Sequence, residues 1–295
     1  EGAKLFDRMG RPQEAEELGR RALEVAPDDP GALPFVADLV SATALDGETQ
    51  DSRARDAALV LYDKLIAAGA HDDAVLRRVI SLRLQAGDRA GALEAARRLV
   101  SEHPGDRHAT GLLAQLLLDD GKAQEALRVL VDFVARHPDD APLLRLAEEL
   151  ARELDAWDLV EQVFAGYGEL DDQAIGVQRL RGEALLRLDR AEPASRALEK
   201  VLQTDPTDRA VRFHLARTYR TMGRLGGAAT MAGELADEMP ADRATHLLLA
   251  EVVHQQGDVQ AALNAYNNAL RLLATESEGE PAIEARDEIR RRMAP

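Results

Sequence analysis

Apolar residues recur along the chain at intervals of three and four positions. One stripe contains Leu113 and Leu117, and the next contains Ala126, Leu130 and Val134. An apolar stripe of this period is typical of an α-helix that buries one face. Strand-forming residues never alternate with polar ones over a convincing run. The pattern therefore predicts an all-α fold.

A longer period of 34 residues runs through the same pattern. A small apolar residue recurs at this spacing, at Ala58, Ala92, Ala126, Val160, Ala194, Ala228 and Ala262. A turn-forming residue lies five positions earlier in most units, at Gly87, Gly121, Asp155, Asp189, Gly223 and Gly257. A proline lies twelve positions later in some units, at Pro104, Pro138, Pro206 and Pro240. Three coincident registers indicate a repeat architecture.

Each repeating unit is predicted to contain two helices. The first helix ends at the turn former, because glycine adopts the left-handed conformation after a last helical turn at little cost. The second helix ends before the proline, whose ring and missing N–H cannot continue the helix. The small residue is expected where neighbouring helices approach most closely.

These residues, at this spacing, resemble the tetratricopeptide repeat family. The resemblance covers residues 1–274 and is strongest in four units, 73–104, 107–138, 209–240 and 243–274. It implies a right-handed α-solenoid, or superhelix, of about eight helix-turn-helix repeats of about 34 residues each. It also implies a concave wall, formed by the first helix of each pair, that receives a peptide or a helix of another protein.

The two ends and one internal segment interrupt the repeat pattern. The first repeat is incomplete, and residues 45–54 read as an inserted, exposed loop. Residues 275–295 are predicted to form a linker and then a capping helix with an apolar stripe that includes Ile289 and Met293. A second assignment of this helix, as the start of a further repeat, stays open. The missing initial Met suggests that the chain starts inside a longer protein.

Two charged residues are among the departures from the repeat pattern. Glu148 stands where a small residue is expected, and Arg181 stands where leucine is usual. Trp157, the single tryptophan, lies in the least regular unit. We expect Trp157 to fill the gap left by that irregularity, and its alternative role is that of a binding anchor.

Composition excludes several classes of function. The net charge of −16 repels a nucleic-acid backbone, so we expect no nucleic-acid binding. Without cysteine there are no disulfides and no Cys-ligated metals. No stretch has the roughly 20 apolar residues of a membrane span. The predominance of arginine and alanine suggests a bacterial source, with cytoplasm and periplasm both open.

A second stripe on the first helices predicts the partner-binding groove. Its residues are Arg145, Glu149, Arg179, Glu183, Arg187, Phe213, Arg217, Arg220, Glu251 and His254. The arginines among residues 179–220 form a local basic concentration that suits an acidic partner segment. The alternative is a solvated helix face with pairs to Glu183 one helical turn apart (i,i+4). The lysine- and asparagine-containing clamp that some family members use for chain-terminal carboxylates is absent at the matching positions.

The sequence predicts no enzyme. No phosphate-binding loop or serine elbow is present, and the single Glu251-x-x-His254 step lacks the second copy that di-iron bundles need. We therefore predict no catalytic residues, metal or cofactor. The predicted function is a scaffold or adaptor for another protein. The alternative is an arm of a larger bacterial envelope machine for exopolysaccharide export or secretion. The sequence does not predict the oligomeric state.

Overall fold

The computed structural model describes residues 2–45, 52–69, 72–167, 174–276, 289 and 291. Within these residues the chain forms sixteen α-helices and no strand. The predicted all-α helical repeat fold is confirmed. The chain divides into two compact units, Glu1–Phe133 and Val134–Pro295, which we call unit 1 and unit 2.

Unit 1 contains the helices α1 (Gly2–Arg8), α2 (Pro12–Val25), α3 (Ala32–Leu45), α4 (Ser52–Ala67), α5 (Asp73–Gln85), α6 (Arg89–Glu102) and α7 (Arg107–Asp119). Each of these helices packs on the next, and the first helices of two neighbouring pairs, α3 and α5, also touch. Helix α8 (Ala123–Arg136) contains the boundary between the units.

Unit 2 contains the helices α9 (Ala141–Leu154), α10 (Trp157–Gly166), α11 (Ile175–Arg187), α12 (Ala191–Thr204), α13 (Arg209–Thr221), α14 (Leu225–Glu238), α15 (Arg243–Gln255) and α16 (Val259–Glu276). The first helices of successive pairs, α9, α11, α13 and α15, lie side by side, and each also contacts the second helix of its own pair.

Within the described residues, the turns at the predicted positions have a left-handed residue. All six predicted positions, together with Gly10 in the first pair, have a positive φ, from 49° at Asp155 to 88° at Gly257. At Gly87 the turn is closed by two backbone hydrogen bonds, from Gly87 N–H to Leu84 O at 3.0 Å and from Asp88 N–H to Arg83 O at 2.9 Å. This arrangement satisfies carbonyl groups that the helix end leaves free.

The recurring small residue is buried in every unit. Ala58, Ala92, Ala126, Val160, Ala194 and Ala228 have no exposed surface, and Ala262 is 3% exposed. The helices approach closely at other small residues too. A Cβ added to Gly182 would lie 2.6 Å from Cδ2 of Leu198 on α12, the partner helix. Small side chains therefore set the packing distance, as the repeat pattern predicts.

Aspartate residues at the repeat spacing cap the N-termini of most first helices in α5–α15, a pattern that was not predicted from the sequence. The side chains of Asp72, Asp106, Asp140, Asp208 and Asp242, one repeat or two apart, each accept backbone N–H groups of the following helical turn. A carboxylate at this position caps the helix and interacts favourably with its dipole. At the equivalent position of α11, Ala174 makes no side-chain cap.

The interrupted regions are described only in part. Helix α3 continues through Leu45 and α4 begins at Ser52, so both enter the predicted insertion, whose residues 46–51 lie outside the described residues. Helix α16 continues to Glu276, into the predicted linker. Most of the predicted capping helix also lies outside the described residues. Ile289 is described, and it is 4% exposed in a cluster with Val253, Tyr266 and Leu273.

Candidate functional site

All ten residues of the predicted groove lie on α9, α11, α13 and α15, the first helices of unit 2. We call the side of these helices that carries them the first-helix face. Most of the ten residues are partly or fully exposed there. The amphipathic spacing that assigned them to one face therefore agrees with the side-by-side arrangement of these helices.

Two depressions lie on this face between α11 and α13. One, of about 260 Å³, is lined by Glu183, Leu186, Arg187, Asp189, Ala191, His214, Arg217, Thr218, Arg220 and Thr221. The other, of about 450 Å³, is lined by Glu148, Arg152, Arg179, Glu183, Leu186, Arg187, Leu198, Ala210, Val211 and His214. They share Glu183, Leu186, Arg187 and His214, so they are contiguous.

The structure brings five of the predicted groove residues together in these depressions. They are Arg179, Glu183, Arg187, Arg217 and Arg220. The other five, Arg145, Glu149, Phe213, Glu251 and His254, line neither depression.

Those other five residues have different surroundings. Arg145, Glu149 and His254 are exposed on the flanking helices α9 and α15. Phe213 packs against a core cluster that contains Ala216 and Ala228, so it is unsuited to act as an exposed groove residue. The Glu251 carboxylate forms an ion pair with Arg220.

Ion pairs join successive first helices across the face. Arg179 lies 3.2 Å from Glu148 of α9, Arg152 lies 3.4 Å from Glu183 of α11, and Arg220 of α13 pairs with Glu251 of α15. The partners of each pair are 31 residues apart. Exposed ion pairs of this kind contribute about 0–1 kcal/mol each. They also occupy the guanidinium groups that form them.

The alternative interpretation, in which this stripe is a solvated helix face, explains one of the ion pairs. Arg187 lies 3.9 Å from Glu183, one helical turn away, as that alternative expects. Arg179, in contrast, hydrogen-bonds to Glu148 of the neighbouring helix. The Arg187 guanidinium also lies 5.5 Å from the centre of the Trp157 ring, within reach of a cation–π interaction.

Arg217 differs from these arginines. It is exposed, lines the smaller depression, and has no ion-pair partner within the described part of the chain. The positions 31 residues before and after it are Leu186 and Leu248, neither of which can form an ion pair. The offset that pairs the other arginines therefore leaves Arg217 unpaired.

His214 lies at the centre of the site and lines both depressions. Burial lowers the pKa of its imidazole, and the charges of Arg217 and Arg187 act in the same direction, while Glu183 and Asp208 act against them. We therefore expect the ring to be neutral at pH 7. Its ring meets that of Phe213 edge to face, with centroids 5.9 Å apart.

Sequence reasoning missed Glu148 and His214 as members of this site. Glu148 was recognised only as a departure from the repeat pattern. Glu148 could have been recognised from the sequence, because it carries a charge opposite to that of Arg179, 31 residues away on the next first helix. His214 follows Glu183 by the same offset.

The irregular unit contains compensating contacts. The Arg181 guanidinium, at the position where leucine is usual, donates hydrogen bonds of 3.2 and 3.4 Å to the Glu161 carboxylate. Trp157 is 3% exposed, and its indole N–H donates to Asp155 Oδ1 at 2.8 Å. Because it is buried, Trp157 fills the interior of this unit rather than presenting its ring as a binding anchor.

The described ranges contain neither a helix suited to a membrane nor a cluster of side chains suited to a metal ion. None of their helices combines the length and the apolar character needed to cross a membrane. Nor do three His, Asp or Glu side chains gather among these residues in an arrangement that holds a metal ion.

Comparison with known sequences identifies the repeats. A model of the tetratricopeptide repeat family matches residues 83–152 and 185–252. No curated protein gives a significant match to the sequence.

Several solved structures are similar to the chain. YrrB, described as a tetratricopeptide repeat protein with an unusual peptide-binding site, is 15% identical, covers 66% of this chain and 100% of its own, and has a TM-score of 0.47. A MamA double mutant from RS-1 is 20% identical over 57% of this chain and 94% of its own, with a TM-score of 0.47. A tetratricopeptide repeat protein from Parabacteroides merdae is 16% identical over 98% and 96%, with a TM-score of 0.38.

The two matched segments include four of the left-handed turns. Residues 83–152 include the left-handed turns at Gly87 and Gly121, and residues 185–252 include those at Asp189 and Gly223. The buried alanines recur at the same 34-residue spacing inside and outside the matched segments. The chain thus contains tetratricopeptide repeats within residues 83–152 and 185–252.

Proposed function

We propose that the chain is a non-enzymatic scaffold that binds a segment of another protein on the first-helix face of unit 2. The contiguous depressions between α11 and α13 are the observation that carries this proposal. They combine charged side chains with the partly buried Leu186, a mixture suited to side chains of an extended segment or a helix. Helical repeats in general offer such extended surfaces for binding.

The remaining helices support this choice of face. On the second helices the recurring alanines are buried and form the interior of the units. Both depressions that contain predicted groove residues lie between first helices. A partner that contacts α11 and α13 therefore finds recesses for its side chains, together with polar groups that fix its orientation.

The role as an arm of a larger bacterial envelope machine stays a prediction. It uses the same face and differs only in the protein that the face holds. Identification of a natural partner as a component of exopolysaccharide export or secretion would support it.

A displayed library of random octapeptides, selected against the purified chain, tests the proposal. We expect enriched peptides to slow hydrogen exchange in α11 and α13, because bound segments exclude solvent from those helices. The variant Arg217→Glu should weaken the enriched peptides, since Arg217 lines the smaller depression. Arg196, exposed on α12 and lining neither depression, provides the matched control Arg196→Glu.

Two results would overturn this function. One is the absence of any enriched peptide. The other is enrichment of peptides whose binding protects the second helices and is weakened equally by the two charge reversals.

A further inference from the structure

The arginines that line the two depressions fall into two groups. Arg152, Arg179 and Arg220 each form an ion pair with a carboxylate of a neighbouring first helix. Arg217 has no such partner within the described residues, and Arg187 reaches Glu183 only at 3.9 Å. Glu183 is itself shared with Arg152. Two guanidinium groups beside the same depression are therefore the least neutralised.

The sequence explains why Arg217 has no ion-pair partner among the described residues. Opposite charges pair across this face when they are 31 residues apart. At that offset Arg217 meets Leu186 on one side and Leu248 on the other. Leu248 is buried and Leu186 partly buried, so both belong to the packing of the repeats.

The charge around the depressions contrasts with that of the whole chain. Five arginines and three carboxylates line the two depressions, whereas the chain as a whole carries 53 acidic and 37 basic residues. A locally positive recess in an acidic protein attracts a negatively charged group of a partner, while the rest of the surface repels other acidic regions of that partner.

We propose that the depression between α11 and α13 binds the side-chain carboxylate of an aspartate or glutamate in the partner segment, with Arg217 and Arg187 as its contacts. This inference rests on the proposed function and specifies its chemistry. A guanidinium group can donate two parallel hydrogen bonds to one carboxylate. Leu186 offers an apolar wall to the methylene groups of the acidic side chain.

A side-chain carboxylate fits the site better than a chain-terminal one. The first-helix face continues over α9 on one side of the depressions and over α15 on the other. A segment on this face therefore crosses the depression and continues past it. The test distinguishes the two sources by comparing amidated peptides with peptides that have a free C-terminus.

The experiment uses the enriched octapeptides, synthesised with amidated C-termini. Wild-type protein should select peptides that share Asp or Glu at one fixed position. Replacing that residue by Gln or Asn, or replacing Arg217 by Gln in the protein, should each weaken binding at least tenfold. Arg196→Gln removes the same charge from α12 and should change the affinity less than twofold.

A double-mutant cycle then decides whether the two groups meet. If Arg217 contacts the carboxylate, the combined Arg217→Gln and peptide Glu→Gln change should weaken binding hardly more than either change alone. Additive losses, or selected peptides without a fixed acidic position, would overturn the inference and leave the proposed function standing. Binding that requires a free C-terminus would also overturn it. Enrichment of no peptide would overturn both.

Discussion

The Arg181 guanidinium hydrogen-bonds to the Glu161 carboxylate, and the two side chains are 22% and 10% exposed. They join α11 to α10, the second helix of the preceding pair. The repeat pattern would place an apolar contact at this position. Each charge is partly removed from water there, and the opposite charge of its partner offsets the cost of that burial.

Removal of either partner should therefore be more harmful than removal of both. We expect Arg181→Leu and Glu161→Leu to lower the free energy of unfolding by about 1–3 kcal/mol each, because each leaves a partly buried charge unpaired. The double variant should recover most of that loss. Urea-induced unfolding of the three variants checks the prediction, and a double variant as unstable as the sum of the single ones would contradict it.

Replacement of glycine by alanine should have opposite effects in a left-handed turn and within a helix. Gly121 has a φ of +73°, and Gly226 lies within α14; a Cβ at either position would meet nothing within 4 Å. Gly121→Ala should cost about 1–2 kcal/mol, because the left-handed conformation is unfavourable with a Cβ. Gly226→Ala should stabilise by about 0.5–1 kcal/mol through helix propensity. Thermal melts that shift in the same direction would contradict the assigned turn.

The buried alanine register predicts sensitivity to side-chain volume. Ala126 has no exposed surface, and we expect Ala126→Leu to destabilise the protein by about 1–3 kcal/mol through overpacking. Gln124 is exposed two residues earlier on the same helix. Gln124→Leu serves as the control and should change the unfolding free energy by less than about 0.5 kcal/mol. Equal effects of the two substitutions would count against the packing register.

The position of His214 predicts a pH dependence of stability. Because burial lowers the pKa of His214 in the folded protein, the folded state binds a proton less readily than the unfolded state. Stability should therefore fall as the pH drops through the unfolded pKa, about 6.5. His214→Gln should lose less stability between pH 7.5 and 5.5 than the wild type. Parallel losses in the two proteins, measured by urea unfolding, would refute this role of His214.

The repeat and its turns could be predicted because they depend on residue identity at a fixed spacing. Gly121 forms the left-handed turn of its unit and Ala126 is buried in it, just as Gly87 and Ala92 are in theirs. The aspartate caps, such as Asp106, follow the same spacing and were equally readable, although the sequence analysis did not use them.

The candidate site was predictable only to the level of the helix face. Helical spacing assigned Arg179, Arg217 and Arg220 to one face, but it treated them as equivalent cations. Their difference depends on which residue of the adjacent helix lies opposite, and that registry follows from how the pairs pack. Phe213 shows the same limit, since its spacing suits the face and its ring packs on the core cluster.

The offset between paired charges has a consequence for how such an array diversifies. Whether an arginine is free to bind a ligand is decided by amino acids encoded in the repeats before and after its own. A single codon change one repeat away can therefore pair or release an arginine without altering the arginine itself. Duplication or exchange of whole units would likewise change which arginines are paired in neighbouring units whose own sequences are unchanged.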